Sequence, residues 1–146
     1  MRETQGPKRT GRSVAALLAS FAAVIVLSLG TDVLLHATGI MPPWGERMSD
    51  AAFVLATAYR TVYGVVGGYI VVRLAPYGPM RHALISGVVG LVISTIGAVA
   101  TWDKGREFGP KWYPLAIIAT AMPCAWAGGK VHELQVRERQ ARSGAI

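Results

Sequence analysis

The sequence predicts an all-α integral membrane protein, a bundle of four transmembrane helices with both termini in the cytoplasm. Apolar residues make up 52% of the 146 residues and charged residues only 16%, against about a quarter in soluble domains. Mean hydropathy is +0.39. The apolar residues are gathered in four long runs, and the basic residues lie almost entirely between them. These features argue against a soluble enzyme, a disordered chain and a nucleic-acid-binding domain, because a small soluble domain needs more charge to cover its surface.

The first predicted span, residues 14–35, follows a basic segment, residues 1–13, and carries a single charge, Asp32. At about 1.5 Å per residue, a helix of this length crosses a hydrocarbon core of roughly 30 Å. A secretory signal peptide also begins with basic residues, but its apolar region is shorter and ends in a small-residue cleavage site. We therefore expect a membrane helix that stays in the mature protein rather than a cleaved signal peptide.

The other three predicted spans are residues 51–74, 83–102 and 113–129, and together they place the membrane domain at residues 14–130. Connections rich in glycine and proline separate the runs, and such residues mark turns. The second run is interrupted only by Arg60, and the third has no charge. A transmembrane β-barrel would need apolar and polar residues to alternate, which these runs do not.

The distribution of lysine and arginine predicts the orientation. Ten lie on the side of the chain termini and four lie in the loops on the other side. The positive-inside rule therefore places both the 1–13 segment and the polar tail, residues 131–146, in the cytoplasm of a bacterial inner membrane. The lipid bilayer is the expected partner, with anionic lipid at the cytoplasmic surface, and nucleic acid is not.

Small residues share one face of the second span and one face of the third. Side chains about 100° apart along a helix define such faces, and small residues on them let helices approach closely in lipid. A homo-oligomer or a larger membrane complex is consistent with several such faces. We predict helix packing at six positions: Gly64, Gly67, Gly87, Gly90, Ser94 and Gly97.

One charge inside a predicted span needs a partner. Arg60 lies roughly 15 Å from the outer end of its span, and a central charge costs on the order of 3 kcal/mol. Asp32 is the only acid within an apolar run, and an arginine side chain extended outward reaches its depth. His36 shares the helix face of Asp32. Tyr59 and Tyr63 flank Arg60 and can donate hydrogen bonds.

Two interpretations of these five residues stay open. They form a structural ion pair that fixes the register of two helices, which requires no ligand. Alternatively, they form an outward-facing polar pocket for an ion, a proton or an anionic group.

The sequence has no pattern typical of an enzyme site. It lacks a glycine-rich phosphate loop, a serine elbow and a zinc-protease motif. The single cysteine, Cys124, excludes an intrachain disulfide and a multi-cysteine metal site. We expect no catalytic residue, no metal and no cofactor.

Three segments, residues 58–64, 67–69 and 108–114, carry a resemblance to known proteins. With them, residues 31–129 resemble a family of small, uncharacterised four-helix inner-membrane proteins of bacteria. The resemblance implies the fold and the location, and it brings no activity. In size and helix count the chain also resembles small multidrug transporters. Their membrane-embedded glutamate in the first helix has no counterpart here, since Asp32 lies near the far end.

Three classes of function follow. The first is a binding or accessory membrane protein, favoured by the small-residue faces and the lack of enzyme motifs. The second is an oligomeric transporter or channel subunit for a small ion or anionic solute, favoured by Arg60 and Asp32. The third is an interfacial lipid-modifying enzyme that uses His36, Asp50 or Glu107 as acid or base.

Overall fold

The computed structural model describes residues 7–105 and 108–144. In that part of the chain the protein is all-helical and contains no strand, so the predicted fold class is confirmed at this level. Residues 1–6 and 145–146 of the two predicted tails, together with Arg106 and Glu107, lie outside the described residues. The four helices are α1 (Pro7–Ala37), α2 (Asp50–Leu74), α3 (Pro79–Thr101) and α4 (Trp112–Ser143).

The helices are longer than the apolar runs that predicted them. α1 begins at Pro7, inside the basic segment, and α4 continues to Ser143, through most of the polar tail. Ion pairs between successive turns support the polar end of α4, where Glu133 accepts from Lys130 at 2.9 Å and from Arg137 at 2.6 Å. The nearby Lys130 ammonium lowers the pKa of Glu133.

Local signals set the helix starts. The backbone N–H of Ala52 donates to the Ser49 hydroxyl at 3.2 Å, which caps α2. Gly78 precedes α3 with φ at +48°, a left-handed conformation that glycine adopts without strain, and Pro79 then occupies the first turn.

Three of the helices, α1, α2 and α3, are long and apolar enough to cross a membrane. Large apolar side chains on their outer surfaces are exposed, including Val26 at 68% and Val99 at 74%. This is the pattern expected where lipid replaces water as the solvent. α4 is not among the three, and its apolar part is interrupted by Thr120 and Pro123.

The helices α2, α3 and α4 form the centre of the bundle. α2 and α4 run parallel, and α3 runs antiparallel to both. α1 is antiparallel to α2 and lies mainly against it. α1 meets α3 near the chain-terminal end of the bundle, where Ala16 joins Val71, Val72 and Ala83 in a buried cluster. At the same end the Ser13 hydroxyl and His82 Nε2 are 2.9 Å apart.

The closest approach of two helices is between α2 and α4. A Cβ atom added at Gly68 would lie 2.7 Å from the carbonyl oxygen of Ala125, and one at Gly128 would collide with the backbone at Val65 and Tyr69. Backbone therefore packs directly on backbone at this crossing. Neither glycine is among the six predicted packing positions, although Gly64 and Gly68 form a GxxxG pair of the kind that marks close crossings in membranes.

The six predicted packing positions divide into two groups. Gly64 packs against Cys124, Gly67 against Ser20 and Val24, and Gly87 against Met122 and Ala125. At Gly90 and Gly97, a Cβ atom would have no described neighbour within 4 Å beyond the local helix backbone, so these two glycines make no close packing contact with another helix of this chain. The face of α3 against α4 is centred on Ala83, Gly87 and Ala98. Gly90 and Gly97 lie beside that face, and Ser94, half-buried, bonds to the Gly90 carbonyl at 2.7 Å.

A side chain at Gly128 should separate α2 from α4. We expect Gly128→Leu to lower the free energy of unfolding by about 1–3 kcal/mol or to prevent folding, because overpacking displaces backbone. Gly97→Leu is the matched control and should be nearly neutral, since the added side chain enters open space. Thermal unfolding in mild detergent measures both. Equal melting temperatures for the two variants would contradict the close crossing.

Candidate functional site

Arg60 of α2 and Asp32 of α1 form an ion pair between the two helices. Arg60 Nη2 donates to Asp32 Oδ2 at 2.7 Å. The side chain of Asp32 is 12% exposed and that of Arg60 is 33% exposed. The structure thus brings together the two charges that the sequence placed inside apolar spans. It buries the acid almost completely and leaves part of the guanidinium accessible.

Tyrosines extend the pair into a polar network. The Tyr59 hydroxyl donates to Asp32 Oδ1, so both carboxylate oxygens accept a hydrogen bond. One turn further along α2, the Tyr63 hydroxyl lies 2.7 Å from Thr31 Oγ1. The Tyr59 and Tyr63 rings also contact each other, with centroids 5.8 Å apart. Both predicted tyrosines therefore take part.

Antiparallel packing and helix periodicity create this arrangement. Tyr59, Arg60 and Tyr63 lie within one turn of α2 and present adjacent polar groups to α1. Thr31 and Asp32 are the matching residues of α1 at the same depth. Every buried side-chain nitrogen and oxygen in the described part of the chain has a hydrogen-bond partner, which is the condition for keeping polar groups in an apolar medium.

Arg60 extends toward the outer end of the bundle. Its guanidinium carbon lies 5.8 Å from the centroid of Tyr113, the second residue of α4, and 5.7 Å from that of Tyr59. Aromatic faces attract such a cation. A small apolar cluster of Met41, Ala52 and Ala56 packs nearby, with Leu35 and Tyr113 against it. Tyr113 is not among the predicted site residues, because nothing in the spacing indicates a contact so distant along the chain.

His36 does not join the ion pair. Its Nδ1 donates to the Pro42 carbonyl at 2.5 Å, and its ring stacks on Trp44 with centroids 3.9 Å apart. The sequence placed His36 on the face of Asp32, but α1 ends at Ala37 and the following turn engages the imidazole. The candidate site therefore consists of Arg60, Asp32 and the two tyrosines.

A cavity of about 220 Å³ lies against Arg60 on the inner side of the pair. All four helices line it. Among the described lining residues Arg60 is the charged one, and the others are small, hydroxylated or apolar. The polar lining comes from the hydroxyls of Ser20, Ser28, Ser86, Ser94 and Thr120, with the Cys124 thiol. This cavity was not predicted from the sequence, although the serines recur at helical spacing on α1 and α3.

A second, larger pocket of about 460 Å³ lies at the outer end of the bundle. Its lining includes Arg47, Asp50 and Lys111 and several aromatic rings. Lys111 Nζ lies 5.2 Å from the centroid of Trp102. Asp50, a candidate acid or base, lines this outer pocket and does not line the cavity next to Arg60. Glu107, the other such candidate, lies outside the described residues.

No protein-family model, curated protein or solved structure matches the chain. Among the described residues, no group of three histidine, cysteine or acidic side chains has the arrangement to hold a metal ion.

Removing one member of the ion pair leaves the other charge buried without a partner. A fully buried pair loses about 3–5 kcal/mol in this way, and we expect roughly 1–3 kcal/mol here because Arg60 is one-third exposed. Arg60→Ala and Asp32→Ala should each lower the free energy of unfolding in detergent. The double variant should lose less free energy of unfolding than the sum of the two single losses, because it leaves no unpaired charge. Strictly additive losses would mean that the two residues do not interact.

Proposed function

We propose that the protein is a four-span membrane protein of the bacterial inner membrane, with both termini in the cytoplasm. The ten-to-four bias of basic residues supports the orientation. A fourth span is supported by α4, which packs along α2 and α3 and buries Cys124, Ala125, Gly128 and Gly129 between them. The bacterial location rests on the resemblance of residues 31–129.

Cysteine labelling tests the orientation. In a Cys124→Ala background, Ser49→Cys and Gly105→Cys should react with an impermeant maleimide added to intact cells, because both sites lie in outer loops. Ser143→Cys, at the end of α4, should react only after the membrane is permeabilised. Labelling of Ser143→Cys in intact cells without the other two would reverse the orientation, and labelling of all three would remove the fourth span.

Within the membrane, we infer that the protein binds a ligand that presents oxygen acceptors to Arg60. The supporting observation is the position of Arg60: its guanidinium pairs with Asp32, its side chain is one-third exposed, and it is one of the residues that line the cavity. A guanidinium has five N–H donors in a planar fork, and its hydrogen bond to Asp32 uses one of them. The remaining donors suit a carboxylate, a phosphate or a lipid headgroup.

The geometry favours a binding or accessory protein over the two alternatives. Inward of the cavity the helices are in contact, with Ala16 of α1, Val71 and Val72 of α2 and Ala83 of α3 in one buried cluster. A transport pathway through one chain is therefore closed on that side, and a transporter would need an oligomer. For a lipid-modifying enzyme, the described acid–base candidates lie away from the ion pair, with His36 bonded to the Pro42 carbonyl and Asp50 in the outer pocket.

A conservative substitution separates ligand recognition from charge balance. Arg60→Lys keeps the positive charge but loses the planar fork, so we expect bound acidic ligand to fall about tenfold. Native mass spectrometry of protein purified from its own membrane measures the occupancy. Arg73→Lys, an exposed arginine on the same helix, is the control and should bind as wild type does. Equal occupancy and equal stability in Arg60→Lys would leave Arg60 a structural residue.

A further inference from the structure

We propose that the ligand is a long-chain carboxylic acid that enters from the bilayer between α1 and α3. Its carboxyl group would lie at Arg60 and its acyl chain in the cavity. This inference rests on the proposed ligand binding at Arg60, and it adds the chemical class of the ligand and its route. Three features carry it: the gap between two helices, the size and lining of the cavity, and the charge balance at Arg60.

The gap lies between the outer halves of α1 and α3. The two helices meet near their first turns, through Ser13 with His82 and through Ala16 with Ala83. Further outward, residues of both helices line the cavity: Ser20 to Ser28 on one wall and Ser86 to Ser94 on the other. α1 lies against α2 and makes little contact with α3. The mouth of the cavity therefore faces the lipid-exposed surface of the bundle, where Ile93 is 55% exposed.

The cavity has room for part of a single acyl chain. Its volume of about 220 Å³ is below the roughly 300–1,000 Å³ of pockets that enclose drug-sized ligands. It therefore cannot enclose the two chains of a phospholipid. Phe21, Val24 and Ile93 line the mouth, and Ile117 lines the α4 side. One chain can lie among these side chains and continue through the gap into the bilayer.

The charge balance favours a weak acid. Arg60 and Asp32 are together neutral, so an added permanent anion would leave one uncompensated negative charge in an apolar region, which is costly. A carboxylic acid brings its own proton. One guanidinium and two carboxyl groups sharing that proton are neutral overall, and two neighbouring carboxyls favour such sharing. A phosphodiester or sulfonate has no proton to share at neutral pH.

Binding should therefore take up one proton when the free ligand is ionised. The titratable and charged groups around the carboxyl position are Asp32 on α1, Arg60, Tyr59 and Tyr63 on α2, and Tyr113 and Cys124 on α4; α3 contributes serines to the lining. The two carboxyls, of Asp32 and of the ligand, are the groups among them that would share the added proton. The affinity for the acid should fall by up to about tenfold per pH unit above the ligand's own pKa.

Two glycines of α3 provide a matched test of the route. A side chain at Gly90 would project into open space on the cavity wall, and one at Gly97 into open space outside it. The full-length protein in phosphatidylcholine nanodiscs is titrated with radiolabelled hexadecanoic acid, and empty nanodiscs correct for partition into lipid. We expect Gly90→Leu to weaken binding at least tenfold and Gly97→Leu to change it by less than twofold. Equal binding in both variants would overturn entry into this cavity.

A strong acid of the same chain length tests the chemical class. Hexadecane-1-sulfonate should bind at least tenfold more weakly than hexadecanoic acid at pH 7, and its affinity should not change between pH 7 and pH 9. Sulfonate binding as tight as that of the carboxylic acid, or pH-independent binding of the acid, would overturn the weak-acid assignment.

The failures of the two proposals can be told apart. If hexadecanoic acid does not bind but Arg60→Lys loses a co-purifying anion, the long-chain acid is wrong and anion binding at Arg60 remains. If hexadecanoic acid binds equally to wild type and Arg60→Lys, and no co-purifying anion distinguishes the two, both proposals are wrong.

Discussion

A charge in the middle of an apolar helix has to keep a partner of opposite charge, and the position of α1 follows from this requirement. α1 approaches α2 closely at Gly67, but there the glycine meets the side chains of Ser20 and Val24 rather than backbone. In its outer half it is held to α2 by Asp32, which accepts from Arg60 and Tyr59, by Thr31 against Tyr63, and by a small apolar contact at Leu35. Because these bonds all go to α2, α1 can remain apart from α3. The cavity exists in the space that this leaves.

The two kinds of helix contact divide the bundle into a tight part and an open part. Where the Gly128 backbone meets the backbone of α2, there is no room for a side chain. Where serines, Thr120 and Arg60 line the helices, the walls stay apart and polar groups are satisfied locally, as when Ser94 bonds to the Gly90 carbonyl. Van der Waals packing thus joins α2 to α4, and the ion pair holds Arg60 beside an open volume.

The sequence was sufficient for features that depend on composition and on local spacing. The apolar runs predicted helices, and the rule that a buried charge needs a partner paired Arg60 with Asp32 across two helices. The sequence was insufficient where the outcome depends on helix rotation. Gly90 and Gly97 share a face with Gly87 on a helical wheel, yet only Gly87 lies against α4. Tyr113 lies on α4, far along the chain from Arg60, and the cavity is lined by all four helices. No spacing along a single helix therefore reveals the contact or the cavity. His36 was misassigned because its turn, rather than its helix face, sets its partners.

The central claim is that the polar network holds the outer half of α1 in place, and the distance between α1 and α3 tests it most directly. Nitroxide labels at Leu27→Cys and Ile96→Cys, both lipid-exposed positions, would be placed in a Cys124→Ala background in nanodiscs and measured by double electron–electron resonance. The account predicts one narrow distance distribution in this background and a broad or shifted one when Asp32→Ala is added. The same narrow distribution in both would show that α1 is held in place without the ion pair.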